Sequence, residues 1–407
     1  MNSAILKVKK ILNENKSLII YLVLYSLFFA FFTFFYYKRL AAFGCSDDCF
    51  NYVGGYLLNE GKAIYSEFFF NHNMLMAYLS AVIQKITKPE TVYEFIFFHK
   101  LFLFGFSFLM GIATIIRFRA AALLALIFYE ATKFYVFGDH FLGEAFIVYP
   151  ILYMLGLVWE KANNRNINRY DIVLSAFFCW FIIFAREPYI PLALILYLLI
   201  LIGKTDKKIR VVSLSIFIAL SVLTVIKMPF ADYFENIYTY NKVTIDNAFR
   251  KNDLSGFNIL NIFLFPFKVF LEGKQNLFRE ILIILNFIFL SAGFIYSFVR
   301  RKKAFLLLFI ILGVSNVRPV LPGLTFYEAF HMNVLYGILI FSSFLLLTEL
   351  FRNKRARKYS YFLFCVFGLL TLHLVLSPVY FIKEKPDRVT EFNTNYGTYY
   401  AYGTVIK

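Results

Sequence analysis

Charge is scarce in this chain. Asp, Glu, Lys and Arg make up 16% of its 407 residues, against 60% hydrophobic residues, and the mean hydropathy is +0.66. A soluble globule of this composition would lack the polar surface to cover itself, so lipid is the expected solvent for much of it. A Gly-rich phosphate loop, zinc-ligand spacing and a nucleophile elbow are also missing, which leaves nucleotide-driven transport and serine hydrolysis without support. No internal repeat, low-complexity linker or insertion of soluble-domain size breaks the pattern, and one membrane domain, 1–407, accounts for the sequence. The N-terminus shows no cleavable signal peptide. Lys7, Lys9, Lys10 and Lys16 precede an apolar run that continues to Tyr37 without a small-residue cleavage site, and it reads as a signal anchor. Cysteine is sparse at four: Cys179 and Cys365 sit inside apolar runs as packing residues, while Cys45 and Cys49 flank an acidic pair.

What is present points to a membrane. Phe and Tyr reach 54 and 29 copies, a bias that suits lipid-facing and interfacial helix positions. The formal charge of +17 would fit a nucleic-acid partner if it were concentrated. Instead the basic residues lie in short clusters between apolar runs, where they act as topology signals, and no nucleic acid is expected.

A helix needs roughly 20 apolar residues to cross the hydrocarbon core, and in lipid its backbone must satisfy itself. The apolar runs predict spans near 17–37, 92–116, 120–138, 141–159, 171–186, 189–203, 211–230, 279–299, 304–317, 333–351 and 359–378. The expected fold is therefore an all-α, polytopic transmembrane protein of about eleven crossings. Alternation puts Arg117, Arg119 and the clusters 161–169, 204–210, 300–303 and 352–358 on the same side as the N-terminus, which the positive-inside rule makes the cytoplasm. The outer side then receives the long loop 38–91, turns around Asp139 and Arg186, the loops 231–278 and 318–332, and the tail 379–407. Within these loops, 48–59, 73–86 and the Pro266-interrupted stretch 257–271 have helical apolar spacing but are too short to span, so they are expected to lie along the membrane surface. The location that follows is the plasma membrane, multi-pass, with the N-terminus cytoplasmic and the chemistry outside.

The first outer loop carries the densest pattern. It runs Gly44-Cys45-Ser46-Asp47-Asp48-Cys49-Phe50-Asn51-Tyr52, then Gly55 to Gly61, then Tyr65-Ser66-Glu67-Phe68-Phe69-Phe70-Asn71-His72. An acidic pair after the first span, a Tyr, a Gly closing a short helix, then Tyr-x-acid, aromatics and a His resembles the first outer loop of GT-C fold glycosyltransferases. These include the protein mannosyltransferase, aminoarabinose transferase and RgtA/B/C/D-like families. The resemblance implies a sugar donor carried on a polyprenyl phosphate, and an acid of this loop, Asp47 or Asp48, acting as general base or as ligand of a divalent cation such as Mg or Mn. A partly desolvated carboxylate at a helix end is suited to take a proton from an acceptor hydroxyl while the anomeric carbon is attacked, with inversion. Tyr52, Tyr65, Glu67 and His72 would line the substrate site. His72-Asn73-Met74 departs from the Lys-Pro-Pro or His-x-Pro of many such enzymes, and Glu67 replaces a commoner Asp. The plainer reading of Asp47 and Asp48 is a solvated helix cap. Cys45 and Cys49, spaced i, i+4, are expected as a disulfide or as free thiols rather than as metal ligands.

Two further groups are predicted on the outer face. Asp139, His140 and Glu144 share a turn, with Glu130 and Lys133 beneath them one helical turn apart as an expected internal ion pair. Arg186, in Arg186-Glu187-Pro188, and Arg318, in Arg318-Pro319 with Tyr327 and His331 following, offer guanidinium groups for a phosphate oxyanion. Their plainer reading is interfacial arginine reaching headgroups. The function expected is glycosyl transfer from the lipid-linked donor to a lipid, glycan or protein acceptor among membrane lipids. A secondary transporter or lipid flippase, and a polysaccharide polymerase or ligase, are the alternatives. The former wants broken helices and midplane polar groups; the latter would use the loop 231–278.

Overall fold

The computed structural model describes residues 16–40, 48–202, 206–240, 277–300, 302–316 and 330–376. Among them the chain is all-helical, with no strand. The helices that fall on the predicted apolar runs are α1 (Lys16–Leu40), α4 (Val92–Phe118), α5 (Ala120–Thr132), α6 (Gly143–Ala162), α7 (Arg169–Ala185), α8 (Ile190–Leu201), α9 (Lys207–Val225), α11 (Leu277–Val299), α12 (Lys302–Ser315), α13 (Asn333–Arg352) and α14 (Arg357–Leu376). Between α1 and α4 lie α2 (Asp48–Asn59) and α3 (Leu75–Thr87), and after α9 comes the short α10 (Phe230–Phe234). The expected surface stretch 257–271 and the outer tail 379–407 lie outside the described residues.

Among the described residues six helices are long and apolar enough to cross a membrane: Lys16–Phe34, Val92–Phe118, Gly143–Ala162, Lys207–Val225, Glu280–Val299 and Phe330–Arg352. Of the other expected spans, 359–378 falls on the 20-residue α14, whereas 120–138, 171–186, 189–203 and 304–317 form helices of 13, 17, 12 and 14 residues, and at the first three local backbone features mark the ends. Arg119, at φ 57°, breaks the chain between α4 and α5. α5 runs into a 3-10 turn, Lys133–Val136, that ends on Phe137 in the left-handed region. α7 stops at an extended Arg186, and Pro188 sits in the 3-10 turn Glu187–Tyr189 that precedes α8. With 12 residues, α8 is about 18 Å long, short of the roughly 30 Å hydrocarbon core.

Burial separates centre from rim. The apolar windows of α6 and α13 are 83% and 89% buried, whereas those of α1 and α9 are 17% and 6% buried. Helices that are hydrophobic on every side find their apolar partners either in the bundle or in lipid, and these two pairs take the two solutions. α1 still attaches firmly: Phe29 lies 4.3 Å from Phe104 between ring centroids, and Tyr25 packs where Gly111 has no side chain.

Ionic contacts define the two ends of the bundle. Arg117 Nε donates to Asp171 Oδ2 at 2.8 Å and its Nη1 to Glu160 at 3.2 Å. Arg165 bonds Glu160 and Glu349, and Lys161 Nζ donates to the carbonyls of Leu199 and Ile200 at 3.1 and 2.7 Å. The basic residues at the end of α4 and at and after the end of α6 thereby meet the start of α7 and the ends of α8 and α13. The segment between α1 and α4 packs at the opposite end.

There, α2 lies on α3 through two glycines. A methyl on Gly55 would stand 2.5 Å from Ser80 Oγ and 2.7 Å from the Ala81 nitrogen, and one on Gly54 would stand 2.9 Å from Phe70. Gly55→Ala is therefore expected to cost about 1–3 kcal/mol of overpacking and to lower the apparent melting temperature in detergent. Gly105→Ala, where a methyl meets nothing within 4 Å, should leave it unchanged or raised. Equal behaviour of the two variants would show that α2 does not need this close approach.

Candidate active site

The sequence places an acid at the first turn of α2, and the fold buries it. Asp48 is wholly inaccessible. Tyr52, one turn along, donates its hydroxyl to Asp48 Oδ2 at 3.0 Å, and His140 Nδ1 lies 3.3 Å from the same oxygen, off the hydrogen-bond direction. Asn51 Nδ2 donates to the Phe141 carbonyl at 3.0 Å. The start of α2 is thus clamped to the turn that precedes α6. Burial, then the negative charges of Asp48 and Asp139, push the Tyr52 phenol well above its ordinary range, so Tyr52 acts as a proton donor to the carboxylate.

Three residues after that turn begins a second cluster. Glu144 stands in the first turn of α6, and Arg186 follows the last turn of α7; Gly143 allows the approach, since a methyl there would be 2.9 Å from the Ala185 carbonyl. Arg186 Nε donates to Glu144 Oε1 at 2.7 Å, and Nη1 reaches the His72 ring, 2.5 Å from Nδ1. Arg186 Nη1 is also 3.6 Å from Glu187 Oε1. His331 Nδ1 lies 3.4 Å from Glu144 Oε1, and Tyr189 donates to the His331 carbonyl at 3.1 Å. Glu144 Oε2 is buried and has no hydrogen-bond partner among the described residues.

His72 has two claims on one nitrogen. Its Nδ1 also lies 3.2 Å from Glu187 Oε1, which requires it to donate, whereas the contact with Arg186 requires it to accept. One proton position satisfies one neighbour at a time. Burial works to raise the Glu187 carboxyl, but the charges of Arg186 and His72 outweigh it and hold Glu187 down at about 2.

The loop between α2 and α3 is fixed by backbone strain and long-range bonds. Tyr65 has a φ of 72°, unfavourable for an aromatic residue and retained only where the surroundings impose it. Its hydroxyl donates to the His72 carbonyl at 2.8 Å, and Asn236 Nδ2 donates to its carbonyl at 3.2 Å. Asn73 Nδ2 donates to the Ile183 carbonyl at 2.6 Å, while Tyr233 donates to Asn73 Oδ1 at 2.9 Å. Glu67 stands apart from both clusters. It accepts from the Ala63 nitrogen at 2.6 Å and lines an open groove of about 630 Å³ with Tyr65, Phe69, Asp232, Glu235 and Tyr240.

Of the residues singled out in the sequence, Asp48, Tyr52, Asp139 and His140 come together at the start of α2. His72, Glu144, Arg186 and His331 form the second cluster, with Tyr65 behind His72. Asp47, Arg318 and Tyr327 lie outside the described residues. Glu130 and Lys133 are the expected internal pair, 2.7 Å apart, completed by Tyr149, which donates to Glu130 Oε1 at 2.5 Å. Cys49 is disulfide-bonded, Cys179 and Cys365 are free, and Cys45 is outside the described residues. Glu187, Asn73 and Tyr189 were not expected as participants; the adjacency of Glu187 to Arg186 was the only local sign of any of them. Among the described residues no group of three or more His, Cys, Asp or Glu is placed to hold a metal ion. Comparison with protein-family models, curated proteins and solved structures returns no match for the chain.

Arg186→Ala would leave the buried Glu144 and the half-buried Glu187 without their guanidinium partner, a loss expected to reach about 3–5 kcal/mol. Arg186→Lys should recover only part of it, since an ammonium cannot reproduce the guanidinium fork; apparent melting temperatures in detergent give the order. Full recovery by Lys would reduce Arg186 to a simple point charge. Because the folded Glu187 lies at about 2 against an ordinary 4.5, its contribution is complete above pH 4.5 and is lost as pH falls towards 2. Glu187→Gln should therefore differ from wild type at neutral pH and converge with it across that acid window. A gap that stays constant with pH would contradict the assignment.

Proposed function

We propose that this chain is a GT-C-type membrane glycosyltransferase that moves a sugar from a polyprenyl-phosphate donor to an acceptor on the outer face. Support comes from one observation above others. Residues of the first outer loop, Asp48, Tyr52 and His72, meet the helix-end groups His140, Glu144, Arg186 and His331 at the end of the bundle opposite the basic clusters.

Burial divides the roles. Asp48 is too enclosed to touch an acceptor directly, so it positions His140, whose ring retains some exposure; such hydrogen bonds are commonly loose before substrate arrives. Asp47 or the Asp48–His140 pair takes the proton of the acceptor hydroxyl. The acceptor oxygen bonds to the anomeric carbon, the bond from that carbon to the phosphate oxygen breaks, and polyprenyl phosphate leaves with the electron pair. Arg318 is assigned to the phosphate. Arg186, fully engaged by Glu144, His72 and Glu187, holds the loop against the bundle.

The short, interrupted helices around Arg186 also favour a second reading, a transporter or flippase, since broken helices next to buried charge are its usual sign. The two separate in proteoliposomes containing polyprenyl-phosphate sugars. Asp47→Asn, Asp48→Asn and His140→Ala, all normally inserted, are expected to cut glycosyl transfer about 10²- to 10⁴-fold in at least one of the two acidic positions. Full activity in both Asn variants would sink the assignment of the base. Movement of the lipid-linked sugar across sealed vesicles with no new glycosidic bond would favour the transporter.

A further inference from the structure

The basic end of the bundle contains its own pocket, remote from the groups above. It holds about 310 Å³ and is lined by Asn163, Arg165, Tyr296, Arg300, Glu349 and Arg352. Three helix ends build it. Asn163 and Arg165 follow α6, Tyr296 and Arg300 come from the end of α11, and Glu349 and Arg352 from the last turn of α13.

The charge balance in this pocket is uneven. Glu349 Oε1 accepts from Arg165 Nη2 and also from Arg352 Nη1, the latter at 2.8 Å. Arg165 Nη1 turns back to Glu160 at 3.2 Å. Arg300 makes no ion pair with a carboxylate among the described residues. The lining therefore presents three guanidinium groups against one carboxylate. Tyr296 donates to Asn163 Oδ1, and Asn163 Nδ2 donates to the Trp159 carbonyl at 2.9 Å, so the floor is polar and already ordered. Basic residues at helix C-termini are ordinarily explained by the helix dipole. That explanation accounts for each arginine singly; Glu349 serves both Arg165 and Arg352 and Glu160 holds the other side of Arg165, which leaves Arg300 as the guanidinium of the lining without a carboxylate among the described residues, and an anion in the cavity would complete it.

We infer that this pocket binds a phosphate-bearing anion, recognised by the paired N–H groups of Arg165, Arg300 and Arg352. Guanidinium and phosphate match in a two-pronged geometry, and basic pockets between membrane helices on the cytoplasmic side are suited to phospholipid headgroups. The same chemistry would serve a soluble phosphate compound.

The sources are told apart with purified full-length protein in mixed micelles. Melting temperatures are measured with phosphatidylglycerol, with phosphatidylcholine, and with inorganic phosphate set against chloride at equal ionic strength. Stabilisation by phosphatidylglycerol alone identifies a lipid headgroup; stabilisation by inorganic phosphate identifies a soluble ligand. In either case Arg300→Ala, which strands no partner, is expected to weaken apparent affinity about tenfold, the scale of one charge-assisted contact. Lys354→Ala removes a charge from the same end of the bundle outside the lining, and is expected to leave affinity unchanged. The proposal is overturned if neither ligand stabilises the protein, or if Lys354→Ala weakens binding as much as Arg300→Ala does.

Discussion

The guanidinium of Arg186 is the tie on which one end of the molecule depends. It leaves the end of α7, takes Glu144 from the start of α6 at 2.7 Å, and reaches His72 in the loop between α2 and α3. A buried cation of this kind costs several kcal/mol to desolvate and is tolerable only when its partners are fixed. The fixing is visible around it: Gly143 admits the approach of α7, Asn73 bonds the carbonyl of Ile183, and Tyr189 bonds the carbonyl of His331. The loop at His72 and two helix ends are held directly by one group, and Glu144 and Tyr189 carry the hold on to His331 just before α13.

The opposite end is organised by the same physics with a different outcome. Arg117, Glu160, Asp171, Arg165 and Glu349 form a chain of ion pairs across α4, α6, α7 and α13. These charges lie nearer solvent, where individual pairs contribute little, and their weight comes from linking helix ends in series. Between the two ends, α6 and α13 form an apolar centre in which the Glu130, Lys133 and Tyr149 triad is the main ionic feature. Apart from that triad, these ionic clusters lie at the two ends and are chemically distinct: one mixes carboxylates and imidazoles around Arg186, the other is rich in arginine.

Much of the helical layout is legible in the chain itself. The surface stretch 48–59 coincides with α2, and the run 92–116 is extended by two residues in α4. Apolar length and the spacing of charge are local properties, and they decide such elements. The lengths of α5 and α8 are less readable, because the strained backbone at Arg119 and the extended Arg186 terminate helices inside apolar sequence. Pairings across long separations are the least readable. Glu187 meets His72 at a separation of 115 residues, and Tyr65 adopts its left-handed backbone only because Asn236 and His72 hold it. No window of ten residues contains the meetings with Glu187 and Asn236; the Tyr65–His72 bond, seven residues apart, is the local part of the arrangement. His140 is the instructive intermediate: its acidic neighbourhood marked the turn, but its position beside Asp48 follows only from the docking of α2.

The central claim is that the outer-end clusters receive a lipid-linked sugar phosphate. Electron cryomicroscopy of the full chain in nanodiscs with a polyprenyl-phosphate sugar tests it most directly. The expected headgroup density lies at the end that carries Asp48, His140 and Arg186, between Asp47 and Arg318. Density confined to the opposite, arginine-rich end, or Asp47 and Arg318 on opposite sides of the membrane, would contradict it.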